Sequence, residues 1–204
     1  MKQTFKPAGK VLQGFLWADI GLTVLLMINV LILGFIEAGD AFMNYDLIVS
    51  LVLSLIVMIY TIIYLVWLYR VHTYLQYLDS SYPITPGGAL ARVMIPLYNL
   101  YGIWNVYSTM ANHFKKKPSI REIGVRLARF VPVYYLLFLT TAILNSYLSR
   151  QPVEEFYNSL WFISYTADIA LVIMYIMIIK IVSAGLIRFS AEEKNDSGSN
   201  ADFS

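Results

Sequence analysis

The sequence predicts an all-α fold: an integral membrane four-helix bundle with a cytoplasmic re-entrant or amphipathic helical insert. Three observations lead there. Hydrophobic residues make up 58% of the chain and charged residues 14%, against roughly 45–50% and about 25% in ordinary soluble domains. The charges lie between long apolar runs rather than within them. The basic residues also fall on alternating sides of those runs, as they do across the loops of a polytopic membrane protein.

Four segments are long enough to cross a hydrocarbon layer, which takes roughly 20 apolar residues. The first is Val11 to Ile36. It follows a basic start at Lys2, Lys6 and Lys10 and far exceeds the roughly 7–15 apolar residues of a cleavable signal, so it is expected to be an uncleaved anchor. The second runs from Leu47 to Tyr69, the third from Leu127 to Leu148 and the fourth from Leu160 to Leu186. Backbone groups in lipid must be satisfied internally, so all four are expected to be helices. Beyond Tyr69, the residues Val71, Tyr74, Leu75 and Leu78 share one helical face and predict that the second helix continues along the cytoplasmic surface.

A fifth apolar stretch, Ala89 to Tyr107, contains Arg92, Pro96, Asn99 and Gly102 and follows the turn-forming Pro83 to Gly88. Charge decides its reading. Arg70, Arg92, Lys115, Lys116, Lys117, Arg121, Arg126 and Arg129 lie between the second and third strong runs, eight of the 15 basic residues. The first loop has only Glu37, Asp40 and Asp46, and the last sets Arg150 against Glu154 and Glu155. Four spans put the N-terminus, the basic centre and the C-terminus together in the cytoplasm. The region 83–112 then becomes an insert on that side. Residues 1–190 form one transmembrane domain, and the polar stretch 191–204 reads as a disordered cytoplasmic tail.

The chemistry inside the spans is sparse. Asp19 and Asp168 are carboxylates in apolar runs, which usually face a bundle interior and find a partner. Asp19 reads as close to the cytoplasmic third and Asp168 as entering from the outer face, so joint action is not expected. Arg92, Arg126 and Arg129 are the expected partners of Asp19. Asn29 and Asn145 read as hydrogen-bonding glue between helices, and Lys180 as a residue reaching back to the interface. Lys115, Lys116, Lys117 and Arg121 form a juxtamembrane basic cluster suited to anionic lipid headgroups.

No catalytic residue, metal site or cofactor is expected. The chain has no cysteine and lacks the zinc-protease and serine-hydrolase motifs. His72 and His113 sit beside basic residues without a second ligand at helical spacing, which argues against a haem. A net charge of +2 does not suggest nucleic acid. The partners expected are membrane lipids, other membrane proteins or a second copy of the chain.

The segment Trp67-Leu-Tyr-Arg70, followed by a Leu/Tyr-rich helix and then Thr85 to Met110, resembles a bacterial membrane family known as domain-of-unknown-function family 4328. The matching positions are Trp67, Arg70, Pro86, Pro96 and Asn99. The chain departs from the pattern at Gly87-Gly88-Ala89 and at Gly102-Ile103-Trp104. The resemblance implies a multi-pass protein of a bacterial inner membrane and supplies no reaction. It leaves Arg70, Arg92, Pro96 and Asn99 as a candidate binding group at the cytoplasmic mouth. The favoured expectation is a non-enzymatic interaction or accessory subunit. The alternatives are a small transporter or channel component using Asp19 and Asp168, or a lipid-binding protein or membrane-embedded enzyme at the cytoplasmic interface.

Overall fold

The computed structural model describes residues 9–33, 40–150 and 159–199, all outside the connecting turns helical. Helix α1 is Gly9–Leu33, α2 Asp40–Leu78, α3 Pro86–Met94, α4 Tyr98–Lys116, α5 Arg121–Leu148 and α6 Ser159–Ser199, with a 3-10 turn at Pro118–Ile120. No strand occurs among the described residues. Four helices are long and apolar enough to cross a membrane: α1, α2, α5 and α6. The end of the first expected span (34–36), the acidic residues Glu37, Glu154 and Glu155, and the last five residues lie outside the described part.

Two differences from the sequence reading have simple causes. Helix α2 begins at Asp40, so Asp46 is a helical residue rather than a loop residue. Helix α6 runs to Ser199, through most of the stretch expected to be a disordered tail. Ala191, Glu192, Glu193 and Lys194 are strong helix formers and extend a helix already nucleated. At 1.5 Å per residue, the 39 residues of α2 and the 41 of α6 span about 58 and 62 Å, roughly twice a hydrocarbon core. Both must therefore project beyond any membrane they cross.

The chain divides into two compact units, with α2, α5 and α6 contributing to both. Among the described residues, one unit comprises Gly9, 64–135 and 177–199, the other 10–33, 40–63, 136–150 and 159–176.

In the first unit, α4 is the central element. Ile103, Val106, Tyr107, Met110, Ala111 and Phe114 are buried, at the i, i+3, i+4 spacing of a single helical face. They join a core built from Trp67, Leu68, Val71 and Leu75 of α2, Leu127, Val131 and Tyr134 of α5, and Ile178, Ile179, Val182 and Leu186 of α6. Two glycines make this packing close. A Cβ on Gly124 would lie 2.6 Å from the backbone nitrogen of Lys115, and one on Gly185 would lie 2.7 Å from the Phe114 ring.

The expected insert is a helical hairpin, α3 followed by α4. Thr85 caps α3, its Oγ1 accepting from the Gly88 N–H at 3.1 Å, and Pro86 occupies the first turn, where its missing N–H costs nothing. Gly87 and Gly88, read from sequence as a turn, thus belong to α3. The helix ends because Pro96 forces the preceding residue out of the helical region: Ile95 adopts φ −75° and ψ 121°. Leu97 then turns the chain with φ 65°, a conformation that a branched apolar residue adopts only under constraint. The N–H of Asn99 closes the turn on the Ile95 carbonyl at 2.9 Å. Gly102 allows the return, since a Cβ there would overlap the backbone of Arg92.

Candidate functional site

The second unit carries a polar network among its apolar helices. Asp19 is 5% exposed. Its Oδ1 accepts from the Thr23 hydroxyl at 3.1 Å, one turn along α1, and the Tyr60 phenol of α2 donates to the same carboxylate. Asp168 of α6 accepts from Asn145 Nδ2 of α5 at 3.4 Å. Asn145 is oriented in turn by the Ser164 hydroxyl, which donates to its Oδ1 at 2.8 Å. Because a carboxylate only accepts, the amide nitrogen has to face Asp168, and the Ser164 bond fits that orientation. Asp19 and Asp168 act on each other electrostatically, and Tyr60 feels both.

One expectation is corrected here. Asp19 takes Thr23 and Tyr60 as partners in place of the arginines expected for it. The two acids, expected at different levels, are within electrostatic reach of each other. Asp19 is eight residues in from Val11 and Asp168 eight residues in from Leu160. If the two helices enter a layer roughly 30 Å thick from opposite faces, each acid lies about 12 Å in and the two levels differ by only about 6 Å. Tyr60 was missed because a tyrosine in an apolar run reads as packing. The usable signal was that a half-buried phenol in an apolar run needs a hydrogen-bond acceptor. Asn29 is buried and donates to Asp46 Oδ1 at 2.8 Å, a contact between α1 and α2.

The first unit holds a second polar group around the hairpin. Asp79, just past the end of α2, accepts from the backbone N–H and the hydroxyl of Ser81 and pairs with Lys117 Nζ at 2.7 Å. Lys117 and then Ser81 hold its carboxyl well below the usual carboxylate range. His113 Nε2 is 3.6 Å from the same carboxylate, too long for a hydrogen bond. Burial pushes His113 down from its ordinary value; Asp79 opposes this, and Lys117 and Lys116 add to it. Lys117 also lies 5.4 Å over the Phe189 ring, a cation–π contact with α6. Of the basic cluster, Lys117 is therefore engaged, while Lys116 and Arg121 are exposed and Lys115 is half-buried. Tyr82 contacts the rings of both His72 and His113, with centroids 5.6 and 5.0 Å away, and burial pushes its phenol up. Among the described residues no three His, Asp or Glu side chains converge as a metal site would require.

The four residues of the candidate mouth are not equivalent. Arg70 and Pro96 are exposed and Asn99 is half-buried. Arg92 is held on two sides: its Nε–H donates to Asn105 Oδ1 and its Nη1 to the Gly88 carbonyl, both at 2.9 Å.

Comparison with family models, with curated proteins and with solved structures finds no match to the chain.

Proposed function

We propose that the chain is a four-span, multi-pass protein of a bacterial inner membrane with both termini in the cytoplasm, and that it is a non-enzymatic small transporter or channel component for protons or a small cation. The observation that carries the reading is the hydrogen bond of Tyr60 to Asp19, with Asp168 within electrostatic reach of both and held by Asn145 and Ser164. Two acids in hydrocarbon are costly. Placed together they repel when both are charged, so they favour sharing a proton or a cation. A purely structural network would be met as well by amides.

Within this reading α3 and α4 form a re-entrant hairpin entering from the cytoplasmic side. Three contacts support it. The hydroxyls of Tyr107 and Tyr64 are 2.7 Å apart, Tyr107 meets Tyr134 edge-on, and Trp104 meets Tyr135. Tyr64 is five residues inside the expected span end at Tyr69, and Tyr134 seven inside Leu127. Tyr107 then lies about 8–10 Å below the cytoplasmic surface. The other end of α4 is anchored by the Lys117–Asp79 pair, so the turn at Leu97 points deeper still. Leu97 is 82% exposed, with Met94, Ile95, Tyr98 and Tyr101 exposed around it, an apolar tip that suits lipid. Membership of family 4328 is part of the same proposal. Four of the residues behind that resemblance have clear structural roles: Trp67 in the core, Pro86 in the first turn of α3, Pro96 at the break and Asn99 closing the turn.

The test is ion flux into vesicles containing the purified protein. Wild type is expected to pass protons or a monovalent cation, with Asp19→Asn and Asp168→Asn each reducing flux about tenfold or more. Flux that is absent in wild type, or indifferent to both changes, overturns the transport reading. An accessory role through self-association or partner binding is the second reading. It is favoured by α2, whose most apolar window is only 11% buried and presents Leu47, Ile48, Leu51, Leu55, Met58 and Ile62 outward. Disulfide cross-linking through single cysteines at Leu51 and Leu55 in native membranes tests it, and monomers alone would reject it.

A further inference from the structure

Three helices of the first unit carry an exposed arginine where an apolar outward surface meets a polar one. Arg70 follows the exposed Val66 and Tyr69 of α2, and Arg188 follows the exposed Ile187 of α6. On α5 the change is sharpest. Its exposed residues up to Arg129 are Arg121, Glu122, Val125, Arg126 and Arg129 itself. Beyond it the helix exposes Val133 and Leu136 instead. A cation at such a boundary stands at the level of lipid headgroups.

Helix α5 differs from the other two in carrying a pair. Arg126 and Arg129 are three residues apart, which sets their Cβ atoms about 5–6 Å from each other on one face. The opposite face, with Leu127, Val131 and Tyr134, is buried in the core, so both arginines are exposed. Like charges one turn apart repel and cost a helix stability. No carboxylate offsets them. Glu122, one turn before Arg126, forms no ion pair with it; the ion pairs among the described residues join Asp79 to His113 and Lys117. The pair is thus a doubly charged set of donors, open at the surface and bordered by apolar side chains on one side only.

We propose that Arg126 and Arg129 clamp the phosphate of one anionic phospholipid in the cytoplasmic leaflet. A guanidinium matches phosphate oxygens in geometry as well as charge, and an anion held between two of them relieves their repulsion. Val133, one turn beyond Arg129 and 49% exposed, offers apolar surface where the acyl chains begin. That border is why the ligand is a lipid rather than a soluble phosphate. Arg121 lies eight residues before Arg129, about 12 Å further from the apolar surface, and stands outside the clamp. The assignment rests on the reading of α5 as a membrane span that enters from the cytoplasmic side.

Native mass spectrometry of the full chain in neutral detergent counts the lipids bound as phosphatidylglycerol or phosphatidylcholine of equal chain length is added. Wild type is expected to bind phosphatidylglycerol more tightly. Arg126→Gln combined with Arg129→Gln should weaken phosphatidylglycerol about tenfold or more, the loss that two cations beside an anionic headgroup imply, and should leave phosphatidylcholine unchanged. The circular-dichroism melt of this double variant should match that of wild type, because both side chains are exposed. Lys116→Gln combined with Arg121→Gln removes the same charge away from the pair, and screening should hold its effect to about twofold or less. Equal losses in the two double variants would mean diffuse attraction and overturn the clamp, as would phosphatidylglycerol binding indifferent to Arg126 and Arg129. Glycerol phosphate that displaces phosphatidylglycerol at equal concentration overturns the lipid assignment in favour of a soluble phosphate. A chain that stays dispersed without detergent overturns the spanning reading of α5, an outcome read separately from the lipid count.

Discussion

Gly124→Ala tests the packing of α4 more sharply than any change to a large side chain. The added Cβ would lie 2.6 Å from the backbone nitrogen of Lys115 and 2.9 Å from both the Ala111 carbonyl oxygen and the Phe114 carbonyl carbon. These are backbone atoms and cannot rotate away, so α4 and α5 must separate by about 1 Å to restore van der Waals contact. Crowding of this kind costs about 1–3 kcal/mol. It is partly offset by the roughly 1 kcal/mol that alanine gains over glycine inside a helix. Gly21 supplies the control: it is also helical, and a Cβ there meets nothing within 4 Å, so Gly21→Ala should keep the propensity gain alone. The difference between the two variants removes propensity and leaves a crowding term of about 1–3 kcal/mol. Equilibrium unfolding in mixed micelles, followed by circular dichroism, measures both. Equal stability of Gly124→Ala and Gly21→Ala would show that α4 and α5 do not meet as closely as described, and the account of α4 as the centre of its unit would fall with it.

Other outcomes follow from the same contacts. Phe114→Ala empties a fully buried site between Gly124 and Gly185 and should cost about 3–5 kcal/mol in the same unfolding assay. Leu97→Gly should stabilise by about 1 kcal/mol, because glycine adopts the φ of 65° without the steric penalty of a left-handed residue; a loss of stability would mean that the leucine side chain is held by something. Thr85→Ala should cost about 0.5–2 kcal/mol by removing the α3 cap, seen as faster hydrogen exchange at Gly88. Stability should fall on acidification in two stages. His113 is depressed below its ordinary 6.5 in the fold, so its contribution is complete above that value and is lost as pH falls toward the folded one. Asp79 is depressed below 3.8, so its pair with Lys117 persists until the pH drops under that value. His113→Gln should remove the stage that sets in below pH 6.5 in thermal melts while leaving the lower step.

The sequence was most legible where one physical constraint acted alone. Long uncharged runs can be buried only by lipid or by one another, and all four became long helices. Pro96 could not continue a helix, and it marks the break between α3 and α4. The insert's internal geometry was less legible because it depends on an absence. Nothing in Gly102 as a letter says that the Arg92 backbone will lie against it; the same glycine in Gly21 meets nothing. The tail was misread for a related reason. Its polar composition describes an isolated peptide, whereas Ala191 to Ser199 continues a helix that the preceding apolar residues already hold.

The polar network shows how a site can be hidden by correct local readings. Asp19, Asn145 and Asp168 each stood out as polar residues in apolar runs, yet their grouping depended on depth and on helix rotation together. Depth follows from counting: two residues eight positions from opposite faces nearly meet in a layer about 30 Å thick. Rotation does not follow, because α1 and α6 are apolar almost all the way round and offer no face to orient them. Tyr60 supplies the missing constraint, since its phenol touches Asp19 and feels Asp168. Tyr60→Phe should therefore change the network without adding or removing a carboxylate. If the two acids share a proton through that hydroxyl, the variant shifts the pH dependence of flux while both aspartates remain necessary. If Tyr60 only fills space, the ring remains, and the pH profile of the variant superimposes on that of wild type.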